Sequence, residues 1–466
     1  MTLTIETPSS RAPERRYILQ VLLGDFLGLE WRLQCTGRLD TRITLADSTG
    51  EIRLPDTLLS IGDDQWLTSQ SMPELPLSVW DTRELAPAIT LIEPQLPVIY
   101  GSNTDPGIQQ DSTFTLPIDI FGSAFFMLTR YEEVVTAARD EHERFPARAS
   151  VAYQENFLDR PIVDEYVEVL WAAIGQLWPQ LERKKHHFKL FVTCDVDSAI
   201  NFRGSWKRVI KSLGGDLIKR KSAALAFYNL VAALRANAGD LEADPHWHGL
   251  KWMMDTAEQA DLPVAFYFIP EITDPGKDRP VSLDDPRMRK MLREMHHRGH
   301  EIGLHPGYNT FDHPEAMARA VARLRAVMKE EGLNQAFLGG RQHFLRWQTP
   351  TTARLWQENG LSYDSTLGYA DRPGFRCGTC REYTLFDVYT RTPLQVCERP
   401  LILMECSVIA TRYLGMGYSD KALDYMLYYK RICQKFNGHF VLLWHNSHLT
   451  HQKDKSFLES LIRNGS

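Results

Sequence analysis

The sequence predicts an α/β protein whose C-terminal part is either a barrel or an open parallel sheet. Three observations point there. From residue 188 onward, short apolar runs alternate with amphipathic helical stretches, the pattern of strands joined by helical crossovers. Before residue 180 the pattern is irregular, with hairpin and helix signals mixed. No strand-like run is followed by a Gly-rich dinucleotide or phosphate-loop fingerprint, which argues against a doubly wound nucleotide-binding fold. The change of pattern sets a boundary between residues 180 and 188. It divides an N-terminal α+β part, 1–185, from an alternating part, 186–466.

In the N-terminal part, "RYILQVLLGDFLGLEWRL" (16–33) is apolar with short polar breaks, and "ITLADSTGEIRLP" (43–55) reads as a hairpin around Ser-Thr-Gly. "LPVIYGS" (96–102) is another strand candidate. "IDIFGSAFFMLTRYEEVVTAARD" (118–140) and "RPIVDEYVEVLWAAIGQLW" (160–178) carry helical periodicity. In the C-terminal part, seven runs read as strands: 188–194, 264–269, 300–304, 335–340, 361–365, 401–406 and 439–444. "DHPEAMARAVARLRAVMKEEG" (312–332) is a well-punctuated helix, with Pro in the first turn and Gly at its end.

Composition narrows the function classes. Hydrophobic residues make up 43% of the 466 positions, ample for a large core. The net charge of −6 gives no electrostatic footprint for nucleic acid. No run of eighteen apolar residues offers a membrane span. The opening "MTLTIETPSSRAPERRY" lacks the apolar core of a secretory signal. Seven scattered cysteines suit a reducing cytoplasm better than a disulfide framework. The stretch 205–240 is basic and amphipathic; it reads as extra capping helices or as a peripheral membrane contact.

Chemistry-bearing residues gather where the C-terminal strands end. "FVTCDVDSAI" (191–200) places Asp195 and Asp197 on one side of a strand. His305 follows "EIGL", Arg341 and His343 follow "FLGG", Asp364 closes "LSYD", and His445 with Asn446 follows "VLLW". In barrels and open α/β sheets that edge is where sites form. In "HPGYN" (305–309), Pro306 suits the first turn of a helix. A helix starting there turns His305 and Asn309 the same way, and with Asp197 they make a facial metal triad. Asn is an unusual zinc ligand, and the alternative for Asn309 is a local hydrogen bond.

The motifs "TCDVDS", "GHEIGLHPGYN", "GGRQHFLRW", "LSYDSTLGY" and "VLLWHN" occur in the order of the five motifs of NodB-type polysaccharide deacetylases, carbohydrate esterase family four. The resemblance covers about residues 187–450. The N-terminal part looks like the extra domain of bacterial deacetylase-like proteins from surface-polysaccharide gene clusters. The resemblance implies a distorted (β/α)7 barrel preceded by a smaller α+β domain. It implies Asp195 as catalytic base, Arg341 as its partner, Asp364 as the acid of the fourth motif and His445 as general acid. Asp197 and His305 match metal ligands, and Asn309 stands where the family usually has a second His. The implied cofactor is a divalent metal, zinc by preference, and the implied substrate is an acetylated sugar or polysaccharide precursor. In that chemistry the metal acidifies water, Asp195 takes the proton, and His445, oriented by Asp364, protonates the leaving nitrogen.

Other residues carry weaker signals. His343 and Arg346 are pocket-lining candidates. Trp347 and Trp444 either stack on a sugar face or pack in the core. Cys377 and Cys380 in "RCGTC" lack a second pair for a zinc knuckle, so ordered-loop or core cysteines are expected. "DPHWHG" (244–249) reads as a helix entry, and His313 as a helix start. The leading function is metal-dependent N-deacetylation. The alternatives are a degenerate barrel that binds glycan or nucleotide-sugar without hydrolysis, a hydrolase of a small non-sugar amide, and a scaffold.

Overall fold

The computed structural model describes residues 1–85, 89–101, 109–110, 112–202, 209–210, 213–215, 218 and 223–463. They form two units, each discontinuous in sequence. The first is Met1–Lys189, Leu345–Ile402 and Tyr428–Phe440; the second is Leu190–Phe344, Leu403–Leu427 and Val441–Ser466. Much of the stretch 205–222 lies outside the described residues, so the membrane-contact reading of 205–240 is described only in part. Among the described residues no helix is long and apolar enough to cross a membrane.

The first unit opens with strands β1 (Thr2–Pro8), β2 (Glu30–Thr36), β3 (Asp40–Leu45) and β4 (Glu51–Pro55). The 43–55 hairpin is present as antiparallel β3–β4, with Ile43 opposite Ile52. A short ribbon pairs β5 (Ser78–Asp81) with β6 (Gln95–Val98). With β7 (Gln109–Gln110) and β8 (Thr113–Thr115), the larger sheet runs β2-β1-β3-β4-β8-β7. The helix over 160–178 forms as Ile162–Leu177, with Asp164 and Glu165 in its first turn, where the helix dipole favours acids.

The helix expected over 118–140 is broken instead. It divides into Ile120–Leu128 and Tyr131–Val135 at Arg130, whose φ is +53°. The cause is a buried charge network. Arg130 donates to Glu132 at 2.6 Å and to Glu133 at 2.8 Å, and Arg376 donates to both oxygens of Glu133 at 2.8 Å. These groups are nearly inaccessible to solvent. A further buried pair joins Asp164 to Arg381, and the buried Glu14 pairs with the partly exposed Arg391. Residues 345–402 thus contribute countercharges to the first unit, although their sequence continues the alternating pattern.

In the second unit, β9 (Lys189–Val196), β10 (Val264–Phe268), β11 (Glu301–Leu304) and β12 (Gly339–Gly340) follow in order. The first unit then supplies β13 (Tyr363–Asp364), β14 (Tyr383–Asp387) and β15 (Thr392–Glu398). The chain ends with β16 (Leu403–Met404) and β17 (His439–Leu443). All seven expected strands are present, though three are only two residues long. The hairpin β14–β15 was not anticipated. The second unit's strands run in the order β12-β11-β10-β9-β17-β16. The pairs β9–β10, β10–β11, β11–β12 and β16–β17 are parallel.

Among the described residues the strand order is linear, with parallel pairs, and closure into a barrel is not shown. Among the described residues β16 pairs with β17 alone and ends the order. Closing a barrel needs a continuous hydrogen-bond register around the ring, and two-residue strands carry little of it. Continuous burial of β10 matches a parallel sheet covered on both faces. The helix Pro314–Glu330 buries Met317, Ala320, Val321, Leu324, Val327 and Met328, a stripe at helical spacing. Gly332, at φ +68°, ends it.

The Glu133 network gives a pH-dependent stability. Burial raises the carboxyl's pKa, but Arg376 and Arg130 outweigh it and bring it down from 4.5 to about 2. The folded value is below the unfolded one. The contribution is therefore complete above pH 4.5 and is lost as pH falls toward 2, in total roughly 3 kcal/mol. In chemical denaturation, Glu133→Gln should be clearly less stable than wild type at pH 6. The gap should narrow by roughly 2 kcal/mol at pH 3. A gap independent of pH would exclude this linkage.

Candidate active site

Parallel strands put their C-terminal ends on one edge, and in the second unit that edge collects the chemistry. Asp195 lies near the end of β9 and Asp197 just beyond it, His305 follows β11, and Arg341 and His343 follow β12. Glu405 follows β16, and His445 follows β17. Close approach of β12 to β11 depends on Gly340, where an added Cβ would lie 1.8 Å from the Leu304 carbonyl oxygen. That approach lets the Arg341 amide donate to the Leu304 carbonyl at 2.9 Å.

Three lone-pair atoms converge at this edge. Asp197 Oδ1 lies 3.3 Å from His305 Nε2 and 3.5 Å from His343 Nε2. The ring centroids of the two histidines are 4.9 Å apart. His305 Nδ1 is 2.6 Å from the Arg341 carbonyl, which can only accept, so that nitrogen carries the proton. His343 Nδ1 likewise donates to Asp278 at 2.8 Å. Both Nε2 atoms are then left with a lone pair facing the carboxylate. Asp197 Oδ1 is itself buried and has no hydrogen-bond partner. A proton or a cation must sit among these atoms to offset their repulsion. The pKa directions agree. Burial acts against charge on His305, yet Asp195 and Asp197 raise its pKa. Burial acts against charge on Asp197, yet His305, His343 and His445 hold its carboxyl well below the usual range.

Asp197, His305 and His343 therefore form a group that could hold a metal ion. One carboxylate and two imidazoles, each imidazole fixed from behind by an acceptor, suit a divalent cation with a coordination position left open. The third member differs from the expected triad. Residues 305–309 form no helix; the helix begins only at Pro314. Asn309 donates from its main chain to Thr273 Oγ1 at 2.9 Å and from Nδ2 to the Thr273 carbonyl at 3.2 Å. His343, placed by sequence in the pocket lining, faces Asp197 instead. The backbone just beyond it holds Phe344 and Leu345 at φ 63° and 56°, which L-residues rarely adopt.

Around this group stand two further pairs. Arg341 donates from Nη1 to Asp195 Oδ1 at 2.8 Å and to Thr193 Oγ1 at 2.9 Å, and Asp195 Oδ2 lies 3.8 Å from His305 Nε2. His445 Nδ1 is 2.6 Å from Glu405 Oε1, with Nε2 3.9 Å from Asp197 Oδ2. Burial disfavours charge on His445, but Glu405 first and Asp197 next raise its pKa to about 10. Glu405 holds this ring through Nδ1. Asp364 accepts from the Thr366 amide and hydroxyl at 2.7 and 2.6 Å.

The remaining candidates are placed as follows. Trp444 and Trp347 are 0% and 2% exposed, so neither offers a face to a sugar. Arg346 donates to the His142 carbonyl and pairs with Glu143 within the first unit. Cys377 and Cys380 are buried, and the Cys380 amide and thiol both donate to Asp164. No cysteine forms a disulfide. Asp244 caps the helix Pro245–Glu258, and His313 precedes the helix Pro314–Glu330. A cleft of about 580 Å³, lined in part by Ser198, Ile200, Ile272, Asp278 and Arg279, reaches the His343 support.

Sequence reasoning missed Glu405 and Asp278. Glu405 ends a strand-like run, "LILMEC", by the same rule that found the others. Asp278 sits among ordinary turn residues in "EITDPGKDRP", and only the fold separates it from Asp274.

Residues 3–179 match a family of unknown function (DUF7033). A search of curated proteins finds no match. Among solved structures, the chain is similar to a Mycobacterium smegmatis protein assigned as a polysaccharide deacetylase, at 15% identity and TM-score 0.38. That match covers 60% of this chain and 86% of that one. A Pseudomonas aeruginosa PAO1 protein assigned likewise matches at 15% identity and TM-score 0.35, over 62% and 89%. Puue allantoinase matches at 16% identity and TM-score 0.34, over 59% and 83%.

Metal affinity distinguishes His343 from Asn309 as a ligand. His343→Gln should lose most metal at a limiting zinc concentration, and Asp278→Asn should weaken binding about 10–100-fold by freeing the ring. Asn309→Ala should leave the affinity near wild type. Zinc competition against a chromogenic chelator reads all three. A large loss in Asn309→Ala with none in His343→Gln would reverse the assignment.

Proposed function

We propose that the chain is a divalent-metal-dependent amide hydrolase. Its reaction would remove the N-acetyl group from an acetamido sugar or glycan precursor in surface-polysaccharide synthesis. One observation carries the reading. An arginine-held carboxylate, Asp195, and a carboxylate-held imidazole, His445, each lie within 4 Å of a member of the Asp197–His305–His343 group. Hydrolysis of an unactivated amide needs that combination: a base for water, a stabiliser for the developing oxyanion and an acid for the departing nitrogen.

Asp197, His305 and His343 would hold the ion, and zinc suits their donor set. When bound, such an ion polarises a carbonyl and acidifies water. Asp195 accepts the proton of the attacking water through Oδ2, since Oδ1 is held by Arg341. Arg341 holds that carboxyl in place through Nη1 at 2.8 Å. Glu405 fixes the His445 ring through Nδ1, so Nε2 is the atom that delivers a proton to the amine. The products are acetate and the free amino sugar.

Purified zinc-loaded protein should release acetate from a panel of N-acetylated amino sugars and their glycosides. Asp195→Asn and His445→Ala should each lower turnover by about 10²–10⁴-fold with metal content intact. Glu405→Gln should act in the same direction as His445→Ala. Turnover of small cyclic amides without acetate release would replace the sugar by a small amide as substrate. Tight sugar binding with metal bound and no turnover would replace hydrolysis by binding alone.

A further inference from the structure

Behind His445 lies a second cluster that the hydrolytic reading does not use in full. We propose that Glu405, Cys406, His445 and His448 form a separate, sulfur-containing site for a soft divalent cation such as zinc. Each residue offers one ligand atom, and these atoms all lie within 4.8 Å of one another. Glu405 Oε1 is 2.9 Å from His448 Nδ1 and 3.8 Å from Cys406 Sγ. Cys406 Sγ is 3.4 Å from His448 Nδ1. Ligand distances of about 2.0–2.3 Å in a tetrahedral zinc site place donor atoms roughly 3–4 Å apart. One thiol, one carboxylate and two imidazoles are the donor types zinc prefers.

A second observation points the same way. Glu405 is 1% exposed, and its Oε2 is buried with no hydrogen-bond partner. A buried carboxylate oxygen left so is costly unless a cation or proton meets it. The fold builds the cluster from two neighbouring strands. Glu405 and Cys406 open the short helix after β16, and His448 lies on the 3₁₀ turn after β17. The His448 side chain is 42% exposed, which gives an ion a way in from solvent, whereas Cys406 is buried. The cluster shares no residue with the Asp197–His305–His343 group. An ion here would engage Glu405 and His445 together and so withdraw the proposed proton donor. That consequence rests on the hydrolytic reading; binding itself does not.

Sulfur makes the site separately visible. Metal-stripped protein would be titrated with Co²⁺, following bound cobalt per chain and the near-ultraviolet thiolate-to-cobalt charge-transfer band. The Asp197 group has no sulfur and is silent in that band. Wild type should bind two ions per chain and develop the band in a saturable step. Cys406→Ser should lose the band and one bound ion, and His448→Gln should weaken both. Asp197→Asn should keep the band while losing the other ion. Near-ultraviolet circular dichroism would establish that each variant is folded, and His448→Gln, at a partly exposed position, provides a second test if Cys406→Ser misfolds. Absence of the band in wild type at saturating Co²⁺, or its persistence in folded Cys406→Ser or unchanged in folded His448→Gln, would overturn the proposal. If the band appears as expected but protein loaded at the Asp197 group alone, with the second site empty, hydrolyses no amide, the second site stands and the hydrolytic reading falls.

Discussion

Backbone pairing of β9 between β10 and β17 is the constraint on which the candidate site depends. Asp195 stands opposite Tyr267 of β10, and the Trp444 amide donates to the Thr193 carbonyl at 3.0 Å. Neighbouring strands lie about 4.8 Å apart. That spacing brings the carboxylates of β9 beside a histidine some 250 positions later. It also fixes the side on which each residue faces, because a slip of one residue would turn Asp195 and Asp197 away from the group they serve. The register is protected by burial: Val192, Cys194, Val196 and all of β10 are inaccessible or nearly so.

Within that frame the electrostatics follow a single rule. The buried polar side chains at the edge are each held by a hydrogen-bonded partner, since a buried polar group without one is costly. Arg341 serves Asp195, Glu405 serves His445, and Asp278 serves His343. Asp197 departs from the rule. Its neighbours are imidazole nitrogens whose other nitrogens are already committed as donors. A positive species among those three atoms completes the balance, and that requirement distinguishes the group from an ordinary buried ion pair.

The first unit applies the same rule for a structural end. Glu133 and Asp164 come from the N-terminal stretch, and Arg376 and Arg381 come from 345–402. Separating the partners would leave buried charges uncompensated, and breaking such a pair typically costs 3–5 kcal/mol. The unit is therefore assembled from distant stretches of chain. Buried charge also explains why the helix signal over 118–140 is interrupted. Local apolar periodicity favours one helix, but Arg130 reaches Glu132 and Glu133 from a left-handed backbone position.

The alternation of strand and helix, the strand-end positions of Asp195, Asp197, His305, Arg341 and His445, and the Asp244 helix entry are legible in the sequence. Those features rest on local patterns: apolar periodicity, strand punctuation and capping residues. Tertiary structure decided the rest. It set His343 against Asp197, because β12 ends beside β11, and it turned the chain after His305 instead of coiling it. It set Glu405 against His445, because β16 and β17 are paired neighbours although they lie far apart in sequence. It buried Trp347 and Trp444, and it drew 345–402 into the first unit through countercharges. No local pattern encodes these choices, since each depends on which strands pair and on which buried charge finds a partner.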